Sequence, residues 1–324
     1  MTQARIGGLA AAGAALLFGS AFVATAFALR SFGPLPVAFW RGLLATIVVG
    51  LAIRAGWLGT GAPAAAGATR QPVHDAPTQV ARIARLTVLG LLGGPTFNIA
   101  LNVAVGVSGA TITAFVAGLY AVLAAVLAPL VLRERLGARA LAGFVVALGG
   151  TGLLAELQSG APSAGGIGVA LFAAFAFAAY LLLSRRWADR YDLRGALIAE
   201  ANFIATAAVA LPAIVILGAG PLVPATIVPS AGIALVWLAI GPGAAAQLLL
   251  VASVRRIPAR RSAAFLLLNP IAATALAAIL LGERLAPLQL IGAILVLAGI
   301  ALASGLLTAV VRRGAPVEPI PPAG

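Results

Sequence analysis

The sequence contains no cysteine and no lysine, one histidine, and eight acidic residues among 324. Without cysteine there is no disulfide framework and no thiol chemistry. The single histidine, His74, lies in a polar stretch rich in Ala, Gly and Pro, and we assign it no role. The acidic residues are scattered. Only Asp189 and Asp192, among Arg185, Arg186, Arg190 and Arg194, approach a cluster, and that pattern reads as an orientation signal. The composition therefore disfavours an integral-membrane enzyme, which would need acids, bases or metal ligands gathered at one place. It implies no metal and no cofactor.

Charge of any kind is scarce. Charged residues are 9% of the chain against about 25% in a soluble domain. Hydrophobic residues make up 62%, and the mean hydropathy is +1.11. Apolar runs recur along the whole length, each near the ~20 residues that span a bilayer. Short segments of alternating polarity, the mark of a membrane β-barrel, are missing. The expected fold is an all-α integral membrane protein.

Ten spans are expected, at 7–29, 35–54, 86–105, 109–132, 138–155, 164–184, 196–218, 229–251, 261–281 and 286–308. A start of Met1 to Arg5 followed by apolar residues is similar to a signal peptide, but the run is too long and we take it as a retained first helix. The net charge of +13 comes entirely from arginine and does not indicate nucleic acid. The arginines flank the spans, eighteen on one side and two, Arg30 and Arg284, on the other. Positive charge collects inside, so both termini are expected in the cytoplasm of a cell-membrane protein. The segment 56–80 is expected to be a flexible cytoplasmic loop, and the Pro-rich tail 312–324 to be disordered.

The chain repeats itself. Shifting residues 112–155 by 149 aligns them with 261–304, with fourteen identities in forty-four positions. Glu134-Arg135-Leu136 falls on Glu283-Arg284-Leu285, Gly143 on Gly292 and Gly150 on Gly299. Upstream, Gly94-Pro95 corresponds to Gly241-Pro242. The expected division is 1–158 and 164–308, five spans each. An odd number forces the second copy to insert upside down, the arrangement of many secondary transporters.

The sequence resembles the EamA family of the drug/metabolite transporter superfamily. The resemblance rests on Phe18-Gly19-Ser20-Ala21-Phe22, on Phe39-Trp40-Arg41-Gly42-Leu43-Leu44-Ala45, on Asn269-Pro270, and on the two Glu-Arg-Leu triplets followed seven residues later by Gly. It implies a ten-helix carrier of two inverted five-helix repeats that exports amino acids, related metabolites or other small organic molecules by alternating access. Uptake of such a solute is the alternative. Partners are then the solute and membrane lipid, with the protein a monomer or homodimer. Pro270 has no counterpart at Ala121, and Pro129 comes eight residues later, so a break in the ninth span is not expected in the fourth.

Polar residues within spans are the candidates for solute contact. Asn98 and Asn102 are spaced i, i+4 and share a helix face. Tyr120 and Asn269 are repeat-equivalent. With Ser20, Phe22 and Gln247 they form the expected cavity lining. Glu200 is the one carboxylate inside a span and the candidate for proton coupling. Arg41, Glu134, Glu283 and Pro270 are expected to serve gating or structure: Arg41 by reaching helix-end carbonyls, the two glutamates by local ion pairs with Arg135 and Arg284. Gly143, Gly150, Gly292 and Gly299 are expected to let helices approach closely.

Overall fold

A computed structural model describes residues 3–57, 78–132, 137–156, 163–188, 190, 191, 193, 195–254, 256–257 and 265–303. Segment 56–80 beyond Trp57, the tail, Glu134 and Asp189 lie outside the described residues or largely so. Among the described residues all regular structure is helical. In the first half it comprises α1 (Gln3–Ala28), α2 (Pro34–Arg54), α3 (Gln79–Leu91), a π-helical turn π1 (Leu92–Thr96), α4 (Phe97–Gly118), α5 (Tyr120–Leu132) and α6 (Ala138–Glu156). The second half comprises α7 (Ser163–Ala188), α8 (Gly195–Leu217), α9 (Pro229–Leu238), π2 (Ala239–Ala245), α10 (Ala246–Val254), α11 (Leu268–Leu280) and α12 (Pro287–Ala303).

Among the described residues, six apolar helical runs are long enough to cross a membrane. One of them, Gln79–Leu132, has 54 residues. Unbroken it would reach ~80 Å, against a hydrocarbon core of ~30 Å. Gly109 breaks it, at φ 78° and ψ 169°, a backbone region open essentially to glycine alone. Phe97 and Tyr120, on either side of this glycine, both stack on the ring of Phe177. The chain therefore doubles back at Gly109, as the expected division into 86–105 and 109–132 requires.

The burial pattern is inverted relative to a water-soluble protein. The interior is dominated by small residues, with Ala11, Ala14, Ala15, Ala28, Ala38 and Ala45 fully buried. The outer surface carries Leu130 at 78% exposure, Ile216 at 80% and Ile279 at 77%. Water would make such a surface prohibitive, whereas lipid tails accept it. Between helices in lipid, close packing must replace the hydrophobic drive, and small residues permit it.

The halves are exchanged in their packing. Helix α1 lies against α9, α10 and α11 of the second half, and α7 lies against α4 and α5 of the first. Helix α2 pairs with α8, and α6 with α12. The α6–α12 pair rests on the glycines read from the repeat. A Cβ on Gly150 would stand 2.6 Å from the Gly292 carbonyl oxygen, and one on Gly299 would stand 2.6 Å from that of Gly143. Position 143 meets 299 while 150 meets 292, so these equivalent helices run antiparallel.

Exchanging Gly150 for Ala would force backbones apart along this seam. Gly149, one residue away, has open space around its Cβ position. We expect Gly150→Ala to lower the melting temperature in detergent. Gly149→Ala should leave it unchanged or raise it by the helix-propensity gain of ~0.5–1 kcal/mol.

Candidate functional site

Proline in a helix interior removes one backbone donor and displaces a carbonyl. At corresponding places in the two repeats the chain absorbs this with a π turn, π1 around Pro95 and π2 around Pro242. Gly94 within π1 is outside helical geometry, at φ −90° and ψ −106°. The carbonyls loosened there find a partner four residues on. Asn98 Nδ2 donates to the Gly94 oxygen at 2.9 Å and reaches the Gly93 oxygen at 3.5 Å. Asn98 is thus a brace for π1, and its Oδ1 is buried with no partner.

The other face of π1 rests on α8. A Cβ on Gly94 would crowd the Asn202 carbonyl and stand 3.0 Å from Thr206 Oγ1. Thr206 donates back to the Asn202 oxygen at 2.6 Å. With its amide oriented to donate to the Ile198 and Leu89 carbonyls at 3.1 Å, Asn202 accepts from the Tyr180 hydroxyl at 3.3 Å. Tyr180 belongs to an aromatic row in which Phe177 touches Phe97 (4.5 Å between centroids), Tyr120 (5.0 Å) and Tyr180 (5.2 Å). Helix α2 enters the same layer through Gly42, whose Cβ position is 2.9 Å from the Phe203 oxygen and 3.2 Å from Thr206 Cβ. The result is a polar and aromatic belt at the level of π1, built by α2, π1, α4, α5, α7 and α8.

The expected cavity residues divide between this belt and the surroundings of α1. Asn98 and Tyr120 belong to the belt. Asn102 is fully buried and donates to the Pro34 oxygen at 3.0 Å, tying α4 to the start of α2; its Oδ1 has no partner. Asn269 opens α11 with Oδ1 likewise unpartnered, and its carbonyl lies against Gly19 of α1. Gln247 is half-buried on α10, which packs on α1. Ser20 and Phe22 part company. Ser20 Oγ donates to the Leu17 oxygen at 2.7 Å and accepts from Trp237 Nε1 at 2.9 Å. It lines an apolar cleft of about 480 Å³ between α1, α9 and α11, with Phe27, Ser230 and Leu280. Phe22 instead packs inward with Leu101, Ala114 and Ala273.

The break expected at Asn269-Pro270 is matched, after all, by one at the corresponding place before α5. Helix α4 ends in a turn at Leu119, closed by a bond from its N–H to the Val116 oxygen at 3.1 Å. Helix α11 begins after a turn closed from Asn269 N–H to the Leu266 oxygen at 3.0 Å. Pro270 sits in the first turn of α11, where its missing N–H costs nothing. Pro129 lies inside a continuous α5. The break is set by the turn and not by the proline, which is why Ala121 does not remove it.

The charged candidates behave unlike their expected roles. Glu283 accepts from the backbone N–H groups of Ala110 and Thr111, both at 2.9 Å. Those groups begin the helix that leaves Gly109, and a carboxylate there satisfies orphan donors and the helix dipole. This contact takes the place of the expected ion pair with Arg284. Arg41 is 8% exposed, with Nε and Nη1 lacking partners, so it does not reach helix-end carbonyls with those atoms. Glu200 lies against Gly50 of α2, and its Oε2 is buried without a partner. The aromatic row was missed from the sequence, although Phe97 lies two residues after Pro95 and could have signalled it.

Two expectations follow. Asn98→Leu should leave the Gly94 carbonyl with the Phe97 N–H alone and reduce stability by about 0.5–1.5 kcal/mol, the net worth of the lost bond. Thr113→Val, which removes a buried hydroxyl with no partner, should not, as judged by thermal melting of the two variants side by side. Glu283→Ala should lower the melting temperature by removing a cap worth ~1–2 kcal/mol, with Glu283→Gln in between.

Comparison with known proteins agrees with this architecture. A solved crystal structure is similar to 94% of this chain and 98% of its own, with 21% identity and a TM-score of 0.60. No curated protein matches. The sequence matches the EamA-like transporter family over residues 5–155 and 164–305, the two halves in turn. Two matching units, crossed by apolar helices and broken at corresponding places, make this chain a multi-pass membrane protein and a member of the EamA-like transporter family.

Proposed function

We propose that the protein is a secondary carrier of ten spans, five in each of two inverted halves, that exports a small organic solute by alternating access. The carrying observation is the pair of π turns at Gly94-Pro95 and Gly241-Pro242. Irregular backbone at membrane depth is tolerated where it lines a cavity or is braced by neighbours, and inverted repeats place solute sites beside such breaks. Asn98, Asn102, Tyr120, Gln247 and Asn269, with Ser20 and Phe22, supply the lining in this reading. The exchanged packing supports rocking of one bundle against the other, because α1 and α7 each belong to one half and lean on the other.

Sidedness follows the arginines, eighteen against two, which puts both termini in the cytoplasm of a cell membrane. At that end the guanidinium of Arg85 stacks over Tyr191 at 4.8 Å, and Arg186 donates to the Val131 carbonyl at 3.1 Å. Both are habits of side chains at a membrane interface. Glu200 is the proton-coupling carboxylate in this scheme.

Efflux from cells loaded with mixed amino acids and amphiphilic dyes tests the proposal. At least one solute should leave faster than from vector controls and slow with an uncoupler, and Glu200→Gln should remove the uncoupler's effect. Faster accumulation of that solute would reverse the direction. No change in either direction for any solute would end the carrier reading for this panel.

A further inference from the structure

Among the described residues, no carboxylate pairs with Arg41, which carries a full charge at a buried position. It is more than nine-tenths buried, and two of its three nitrogens have no partner. The chain has eight carboxylates, and three of them fall among the described residues. Glu283 is bound to the amides of Ala110 and Thr111. Glu200 lies against Gly50, nine residues from Arg41 and so ~13 Å along α2. Glu156 ends α6, whose extensive partner is α12 and not α2. The other five, at 75, 134, 189, 192 and 318, lie between the expected spans or in the tail. A buried guanidinium without a counter-charge is costly, and ionisable groups kept at such depth mark binding pathways by default.

Its neighbourhood has further unmet groups. Gly42, the next residue, packs on Thr206, and so does Gly94 of π1. Asn98, which braces π1 through Nδ2, leaves Oδ1 without a donor in the same layer. One layer of the bundle therefore holds unused donors of a cation and an unused neutral acceptor. A guanidinium is a planar fork that fits a carboxylate through two parallel bonds.

We propose that Arg41 is the carboxylate-binding group of the solute site, with Asn98 Oδ1 accepting from a donor on the same molecule. This inference rests on the carrier reading and specifies its cargo as an organic acid. Arg41 is sealed from solvent in this conformation, so the acid enters when the bundle opens.

Thermal shift of the purified full chain tests this with matched pairs: leucine and leucinamide, phenylalanine and phenylalaninamide, benzoate and benzamide. At least one acid should raise the melting temperature while its amide does not. Arg41→Gln should abolish the rise, weakening Kd at least about tenfold, and Arg41→Lys should keep part of it. The proposal is overturned if none of the acids acts, if an amide matches its acid, or if Arg41→Gln binds the acid as tightly as the parent. Should Arg41→Gln fail to fold, the acid-against-amide comparison on the parent decides alone. Reconstituted vesicles separate the two readings. A neutral solute that crosses while no acid binds keeps the carrier and removes Arg41 from its site. An acid held through Arg41 that never crosses keeps the site and removes the carrier.

Discussion

Lipid gives helices no reason to associate through apolar surface, and everything in this bundle answers to that constraint. The seams are made of alanine and glycine, so that backbones touch. The bulk is on the outside, in Leu130, Ile216 and Ile279. Because contact is backbone on backbone, positions such as Gly42, Gly94 and Gly150 admit no added atom without displacement. Polar side chains then have few places to go. Some tie irregular backbone to its surroundings, as Asn98 does for π1 and Asn102 for the start of α2, while others, such as Thr25 and Thr113, are buried with no partner for the hydroxyl.

Much of the fold was legible because the signals that specify it are written in composition and period. Apolar runs of bilayer length marked some helices closely, 138–155 as Ala138–Glu156 and 196–218 as Gly195–Leu217, whereas α3 begins at Gln79, seven residues before the expected 86. The two Gly-Pro pairs, read from the sequence as repeat-equivalent, both fall in π turns. The glycine register marked a close-packing face on α6 and on α12, because seven residues is two helical turns and keeps one face; that the two faces meet, 143 on 299 and 150 on 292, is set by the tertiary fold. Proline misled at Pro129 and Ala121. A proline can ride in a helix whose neighbours meet its freed carbonyl, and a turn such as that at Leu119 can form without one.

The candidate site was less legible, since side-chain direction depends on neighbours that spacing alone cannot supply. Ser20 and Phe22 are two residues apart, ~200° around a helix, and so face a cleft and a core respectively. Glu283 sits beside Arg284 in sequence, yet its carboxylate goes to amides some 170 positions away, which no local pattern announces. The row of Phe97, Tyr120, Phe177 and Tyr180 draws on three helices. Tyr120 stood out in the sequence as a polar residue within a span, but nothing there joins it to the other three.

The Glu283 contact joins the start of a helix in one half to a loop of the other. Neither half is finished alone. Cut between 158 and 164, the first would carry a helix with bare amides at its beginning, and the second a carboxylate without its donors. Made separately, the two pieces could meet these groups only by associating with each other. Carrying both in one chain keeps donors and carboxylate together throughout folding, so the contact ties the two pieces into one unit of assembly.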